Sequence, residues 1–297
     1  MLPEQLRQNL RYLNWLFNPF HGLDASGIYD LVSTNWLSER GLYLNLGYWP
    51  EASNIDEASD GLAMLVAETA RVGSGDTVLD CGFGFGDQDI LWSQKLKPKQ
   101  IIGLNITASQ VTIARQRVEA AGLDDRIDLR HGSATEMPIE SDSIDRVVAL
   151  ESAFHFRTRE RFFREAWRVL RPGGRLVTAD IIPMPAASRF TMRLRQQVSW
   201  GLVASRFAIP SQNAYTRPTY QSKLGLCGFQ EIQVHSIRDQ VYAPLHDFLR
   251  AHPERLEQLH PMARLPARMV IHSVADSIYA GLDYVLATAV KPHSSHS

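Results

Sequence analysis

The chain has 297 residues, 44% of them hydrophobic, with 31 Lys+Arg against 32 Asp+Glu; it can bury a large core, and its charge gives no case for nucleic-acid binding. Two cysteines, Cys81 and Cys227, exclude a disulfide framework and a thiolate zinc site. With no apolar run of ~18 residues and no secretory signal in MLPEQLRQNL, the chain reads as soluble and cytoplasmic.

In chain order, Leu6, Leu10, Leu13, Leu16, Phe17 and Phe20 recur at helical spacing. They predict an amphipathic helix ending near Asn18-Pro19, its stripe docked on the protein's own core. The same stripe also suits a membrane surface, although its polar face is only weakly basic. A second helical pattern (Leu62, Leu65, Val66, Thr69) runs from Asp60 to the turn Gly73-Ser74-Gly75-Asp76. Apolar runs follow at 77–80, 100–104, 127–130, 146–150 and 175–182, the last after Arg171-Pro172-Gly173-Gly174. Helical segments such as 108–121 and 160–170 separate them. Strands alternating with helices imply right-handed crossovers, hence an α/β, doubly wound, mostly parallel sheet.

Beyond Ile182 the alternation breaks. A helix is expected over 189–207, with a mixed aromatic and basic face, and another over 219–226. A strand over 229–237, a helical stretch near 243–280 and a last strand over 283–290 bring the sheet to seven strands. The chain therefore divides into an N-terminal helical lid (1–59), a Rossmann-like core (60–182), a helical cap (183–227) and the last strands with a helical insertion (228–297). The tail from His293 to Ser297 reads as disordered.

The run Val78-Leu79-Asp80-Cys81-Gly82-Phe83-Gly84-Phe85-Gly86 is a strand leading straight into a glycine turn. Glycine there permits φ > 0 and close approach of backbone to a nucleotide. Ligands of such sheets bind outside the carboxyl ends of the strands. The dinucleotide fingerprint G-x-G-x-x-G/A fails, because its third position is Asp87 counted from Gly82 and Asp89 counted from Gly84. An NAD-dependent oxidoreductase is disfavoured on that ground.

An acidic residue followed by G-x-G-x-G resembles motif I of class I S-adenosylmethionine-dependent methyltransferases. Residues 141–148, SDSIDRVV, resemble that family's lead into strand four, and residues 167–176, WRVLRPGGRL, its helix–turn before strand five. Leu44-Asn45-Leu46-Gly47-Tyr48-Trp49 and Leu150-Glu151-Ser152-Ala153-Phe154-His155 are similar to segments of the small-molecule branch. That branch includes macrolide-sugar O-methyltransferases and tocopherol-type C-methyltransferases, so the acceptor atom stays open.

The resemblance implies S-adenosylmethionine as cofactor, held by Asn45, Tyr48, Trp49, Asp80, Gly82, Gly84, Gly86, Asn105, Ile106, Gln110, Ser133, Ala134 and Glu151. Asp80 would accept hydrogen bonds near the ammonium group. Asn105 stands where many members carry Asp or Glu against the ribose; its neutral bonds are weaker, and Gln110 offers a second ribose contact. Ser133 takes the place of an acidic residue that often meets adenine.

Methyl transfer is an in-line displacement, catalysed by positioning and electrostatics. An alcohol acceptor must also lose a proton. His155, with an ordinary pKa near working pH, is the first choice of base. Glu151 would orient it, touch the cofactor or stabilise a carbocation. Asp180, at the end of strand five, is a further substrate-side candidate unless it merely caps the strand. His21 reaches the site only if the first helix closes as a lid. Trp15, Phe17, Phe20, Trp36, Tyr43, Tyr48, Trp49, Phe190, Trp200, Phe207 and Tyr215 line an apolar acceptor cavity unless they are ordinary core. Without H-x-x-x-H or clustered carboxylates, no metal is expected.

The expectation is methyl transfer to a hydroxyl oxygen of a small, moderately apolar secondary metabolite. C-methylation of an electron-rich ring or a prenyl diphosphate double bond is the alternative, followed by a non-catalytic cofactor-binding scaffold. No nucleic-acid partner is expected, and a homo-oligomer is left open.

Overall fold

A computed structural model describes residues 4–18, 20–32 and 37–293. Trp36 of the expected aromatic set, Pro19 of the first helix stop and residues 294–297 of the tail lie outside the described residues. Helices α1 (Glu4–Phe17) and α2 (Ala25–Val32) lead to α3 (Ile55–Ala70). Then come β1 (Thr77–Cys81), α4 (Asp87–Lys95), β2 (Gln100–Asn105), α5 (Ala108–Ala120), β3 (Ile127–His131), β4 (Ile144–Leu150), α6 (Arg159–Val169) and β5 (Leu170–Pro183). The chain continues through α7 (Phe190–Arg206), α8 (Arg217–Leu226), β6 (Gln230–Ser236), α9 (Tyr242–Ala251), α10 (Pro261–Ile271), α11 (Ala275–Ile278) and β7 (Leu282–Val290).

The sheet order is β3-β2-β1-β4-β5-β7-β6. The first five strands pair in parallel, and β7 inserts antiparallel between β5 and β6. Order reverses between β1 and β4, which places a crevice at their carboxyl ends. Both faces of the sheet are covered, so neighbouring strand residues enter opposite cores. Val78, Val148 and Val177 pack with α3 residues Leu62 and Val66, whereas Leu79, Val147 and Leu176 pack with α6 residues Phe162 and Phe163.

Two boundaries move. The Asn54 side chain accepts the Glu57 N–H at 3.0 Å, so α3 begins at Ile55 and the expected 59/60 division falls inside it. β5 begins at Leu170, because Leu170 pairs with Ile144 before the register shifts.

The first helix is oriented differently from expectation. Tyr12 and Trp15 are its buried residues, while Leu6, Leu10, Phe17 and Phe20 face solvent. The aromatic residues win because the fold supplies their partners. Trp15 Nε1 donates to the Arg206 carbonyl at 2.8 Å, and the Tyr12 ring stacks on His260 at 4.0 Å. Arg206 Nη1 in turn donates to the carbonyls of Trp15 and Asn18 at 2.8 and 2.9 Å. Thus α1 is clamped to the C-terminal end of α7.

Candidate active site

A cavity open to solvent lies at the carboxyl ends of β1, β2 and β4. Its floor is the glycine turn. Gly82 has φ +94, and a Cβ built there would fall inside the Ser152 side chain. Ser152 itself donates to the Cys81 carbonyl at 2.5 Å, so the exit of β4 presses directly on the turn. Only glycine satisfies both the positive φ and this contact.

Beside the floor, the Asn105 side chain accepts from Thr107 N at 3.0 Å and donates to Gln110 Oε1 at 2.9 Å. That arrangement leaves Gln110 Nε2 buried and unpartnered among the described residues. Both side chains line the cavity, with Ile106, Gly132 and Ala134 completing this wall. The opposite wall is Leu42–Asn45 together with Ala25 and Tyr29.

Glu151 leaves β4 with φ +48. Its Oε1 accepts Leu46 N–H at 2.7 Å and Tyr284 O–H at 2.7 Å. Burial raises its pKa to about 7 despite these two bonds, and the charge of Asp180 adds to the rise. His155 follows in the 3-10 turn Ala153–His155. Burial pulls its pKa down to about 3, with the Phe207 backbone opposing the shift. His155 Nε2 and the Tyr29 hydroxyl are hydrogen-bonded at 2.9 Å, and the Tyr29 ring stands edge-on to the imidazole at 5.2 Å. Burial raises the Tyr29 pKa, and Glu151 reinforces it. At neutral pH the pair is therefore a neutral phenol and a neutral imidazole.

The structure brings Asn45, Gly82, Gly84, Asn105, Ile106, Gln110, Ala134, Glu151 and His155 to one cavity. Other expected residues stand elsewhere. Asp180 does not line it; it is fully buried in an ion pair with Arg159 at 2.8 Å and accepts the Tyr220 hydroxyl at 3.1 Å. Asp80 lies beneath the turn, where Gln88 Nε2 donates to its Oδ2 at 3.0 Å. Burial raises Asp80 to about 7, and burial together with Asp80 pushes Asp89 well up. Burial disfavours charge on both carboxyls, and neither lines the cavity. Gly86 caps α4 in the left-handed region instead of lining the wall. Ser133 turns its hydroxyl to Thr135 at 2.9 Å. Tyr48 packs against the core, and Trp49 packs on Phe248 at 5.0 Å between ring centres.

The aromatic set divides in the same way. Tyr43 reaches the cavity, and Phe207 stands 6.3 Å from the His155 ring. Phe17, Phe20 and Phe190 face solvent, Trp15 is buried beside Tyr12, Trp200 packs against the core, and Tyr215 lies under the Arg159 guanidinium. His21 bonds the Ser205 carbonyl at 2.8 Å, in the joint between α1 and α7. Tyr29, Gln88 and Ser152 were not anticipated. Tyr29 and Ser152 meet their partners only across the fold, whereas Gln88 reaches back eight residues to Asp80 from the first turn of α4.

A family model described as a methyltransferase domain matches residues 79–178. The erythromycin 3''-O-methyltransferase of Saccharopolyspora erythraea is 39% identical over 262 residues, covering 85% of each chain. The 27-O-demethylrifamycin SV methyltransferase of Amycolatopsis mediterranei is 35% identical over 186 residues, covering 62% of this chain and 66% of its own. The crystal structure of geranyl diphosphate C-methyltransferase from Streptomyces coelicolor A3(2) shares the fold, with a TM-score of 0.66 at 16% identity over 98% of this chain and all of that one.

The fold and these likenesses define a class I methyltransferase. The chain belongs to the S-adenosylmethionine-dependent methyltransferases of small molecules, and S-adenosylmethionine is its cofactor. The residues present suit that cofactor. The glycine turn lines the cavity with backbone at Gly82 and Gly84, with nothing closer than 3.9 Å to where a Gly84 side chain would begin, and the orphaned Gln110 amide beside Asn105 is a donor awaiting an oxygen such as a ribose hydroxyl. Among the described residues no helix is long and apolar enough to cross a membrane.

Proposed function

We propose that this methyltransferase alkylates a hydroxyl oxygen of a small, moderately apolar metabolite, a macrolide-linked sugar being the best-supported class. The observation that carries the reading is Glu151. It is a cavity-lining carboxyl whose pKa stands at about 7, with Oε1 doubly bonded and Oε2 without a protein partner among the described residues. The 39% identity to an enzyme named for O-methylation of erythromycin supports the acceptor class.

S-adenosylmethionine, when bound, supplies an electrophilic methyl group on a sulfonium. Asn45, Gly82, Gly84, Asn105 and Gln110 are the residues that would hold it. Glu151 Oε2 takes the acceptor's hydroxyl proton. This neutralises a carboxylate, the direction burial favours. Proton transfer to His155 would instead create a buried imidazolium, which burial disfavours. His155 and Tyr29 therefore wall the acceptor oxygen, fix its orientation and exclude water. A second reading rests on their 2.9 Å bond: the acceptor proton passes to the Tyr29 oxygen as Tyr29 yields its own to His155 Nε2, a route that must carry the cost burial sets on the resulting imidazolium.

The test is incubation of the full chain with S-adenosylmethionine and desmethyl macrolide glycosides. A product one methylene heavier, with an O-methyl carbon resonance, is expected. A C-methyl resonance, or no turnover by a chain that binds S-adenosylhomocysteine, would overturn the reading. The pH profiles of Glu151→Gln and His155→Gln then separate the two proton routes.

A further inference from the structure

Helix α7 carries an apolar face on its outer side as well as on its inner one. Ser199 is its one buried residue. Its inner face combines apolar packing of Trp200, Val203 and Ala204 on the core with polar bonds: Gln196 accepts from Ala187 N at 2.8 Å and donates to the Pro185 carbonyl at 3.0 Å, and Ser199 Oγ donates to the Ile278 carbonyl at 2.6 Å. Outward point Phe190 (73% exposed), Leu194 (50%), Val198 (55%) and Leu202 (56%). Spaced by four, they cover an arc of ~120°. On the same wheel Arg193 flanks this arc on one side and Arg195 on the other.

Residues 181–230 contain Arg189, Arg193, Arg195, Arg206, Arg217 and Lys223, and no carboxylate, in a chain of net charge −1. Arg217 and Lys223 are paired with Asp283 and Glu160, and Arg206 is spent on α1. Arg189, Arg193 and Arg195 have no ion pair among the described residues. A second exposed apolar set (Leu6, Leu10, Phe17) belongs to α1, which is clamped to α7 through Trp15, Asn18 and His21.

We propose that this α1–α7 cap docks the protein on the surface of an anionic lipid bilayer. The apolar arc would enter the acyl boundary, while the arginine stems reach back to the headgroups. Charge selects this occupant. Pairing α7 with a second copy of itself would bring arginine rows together with no carboxylate on either helix to answer them, whereas anionic headgroups answer all three. Docking has a use for the site already described. Phe207, which ends α7, faces the His155 ring, so the docked cap adjoins the cavity and admits apolar acceptors dissolved in the bilayer.

The experiment is co-sedimentation of the full chain with vesicles of phosphatidylcholine alone and of phosphatidylcholine mixed with phosphatidylglycerol. Binding is expected only to the mixed vesicles, weakening with salt. Leu194→Glu with Val198→Glu should lower it at least ~10-fold, and Arg193→Gln or Arg195→Gln about fivefold each. These residues are exposed, so the melting temperature and S-adenosylhomocysteine binding should not change. Absence of vesicle binding, or binding that the variants retain in full, would overturn the proposal. So would a dimer by light scattering that Leu194→Glu with Val198→Glu turns into a monomer, or capture of an acidic protein by a chain that ignores vesicles.

Discussion

Strands β4 and β5 run side by side and parallel, and each delivers a buried carboxylate at its carboxyl end. The two have opposite fates. Asp180, on β5, meets the Arg159 guanidinium at 2.8 Å, the Tyr220 hydroxyl at 3.1 Å and the Ile181 N–H at 2.9 Å. Burial still pulls its pKa up, and Arg159 opposes that pull. Glu151, one step beyond β4, has two hydrogen bonds and no cation partner among the described residues, so burial carries it to about 7. A buried carboxylate given its own cation is scaffold. One denied a cation keeps an appetite for a proton and a reason to face a cavity.

The sharpest way to break this comparison is Glu151→Gln. The amide keeps an oxygen for Leu46 and Tyr284 but takes no proton, so kcat should fall ~10²–10⁴-fold. The wild-type profile should rise with pH through an apparent pKa near 7, and the variant should lack that limb. A profile that keeps the limb in Glu151→Gln and loses it in His155→Gln transfers the proton to the Tyr29 route.

Asp180→Asn tests the other strand. It strands a fully buried guanidinium, so unfolding free energy in urea should drop by about 3–5 kcal/mol. Activity per folded molecule should stay within about twofold, since Asp180 does not line the cavity. A large kcat effect at unchanged stability would make the two carboxylates equivalents after all.

A stability profile sharpens the contrast further. The folded pKa of Glu151 is raised from its ordinary value of 4.5 to about 7. The stability this confers is complete below pH 4.5 and is lost as pH climbs through about 7. Removing it by Glu151→Gln should therefore flatten the profile by about 2–3 kcal/mol between those limits. Asp80 and Asp89 are also raised and decline with the same sign, so the wild-type-minus-variant difference is the quantity to measure.

Sequence reasoning could not have told Asp180 from Glu151, because both are acids at or near the end of an apolar run. The distinction comes from Arg159, which the fold brings under β5 from the start of α6. The βα alternation and the glycine turn were readable because their signals are local: a change between periods of two and 3.6, and glycines adjacent in the chain. Tyr29 was missed for the converse reason, as its partner His155 is 126 residues away. The stripe of α1 misled for a related cause. Leu6, Leu10 and Phe17 have the periodicity of a buried face, but the partners for Tyr12 and Trp15 are His260 and Arg206, and those bonds set the rotation.

The smallest effect concerns the other end of the cavity, where no charge is at stake. Asn105 donates to Gln110 Oε1, which orients the Gln110 amide so that its Nε2 has no partner among the described residues. In the free protein that donor is a cost, and against a ribose hydroxyl it becomes a bond. Gln110→Leu removes both sides of this exchange. S-adenosylhomocysteine affinity should fall about 3–10-fold by calorimetry, the value of one neutral hydrogen bond, while the ligand-free chain should melt no lower than the wild type. Weaker binding accompanied by a lower melting temperature would instead mean that Gln110 serves mainly to hold Asn105 and the end of β2 in place.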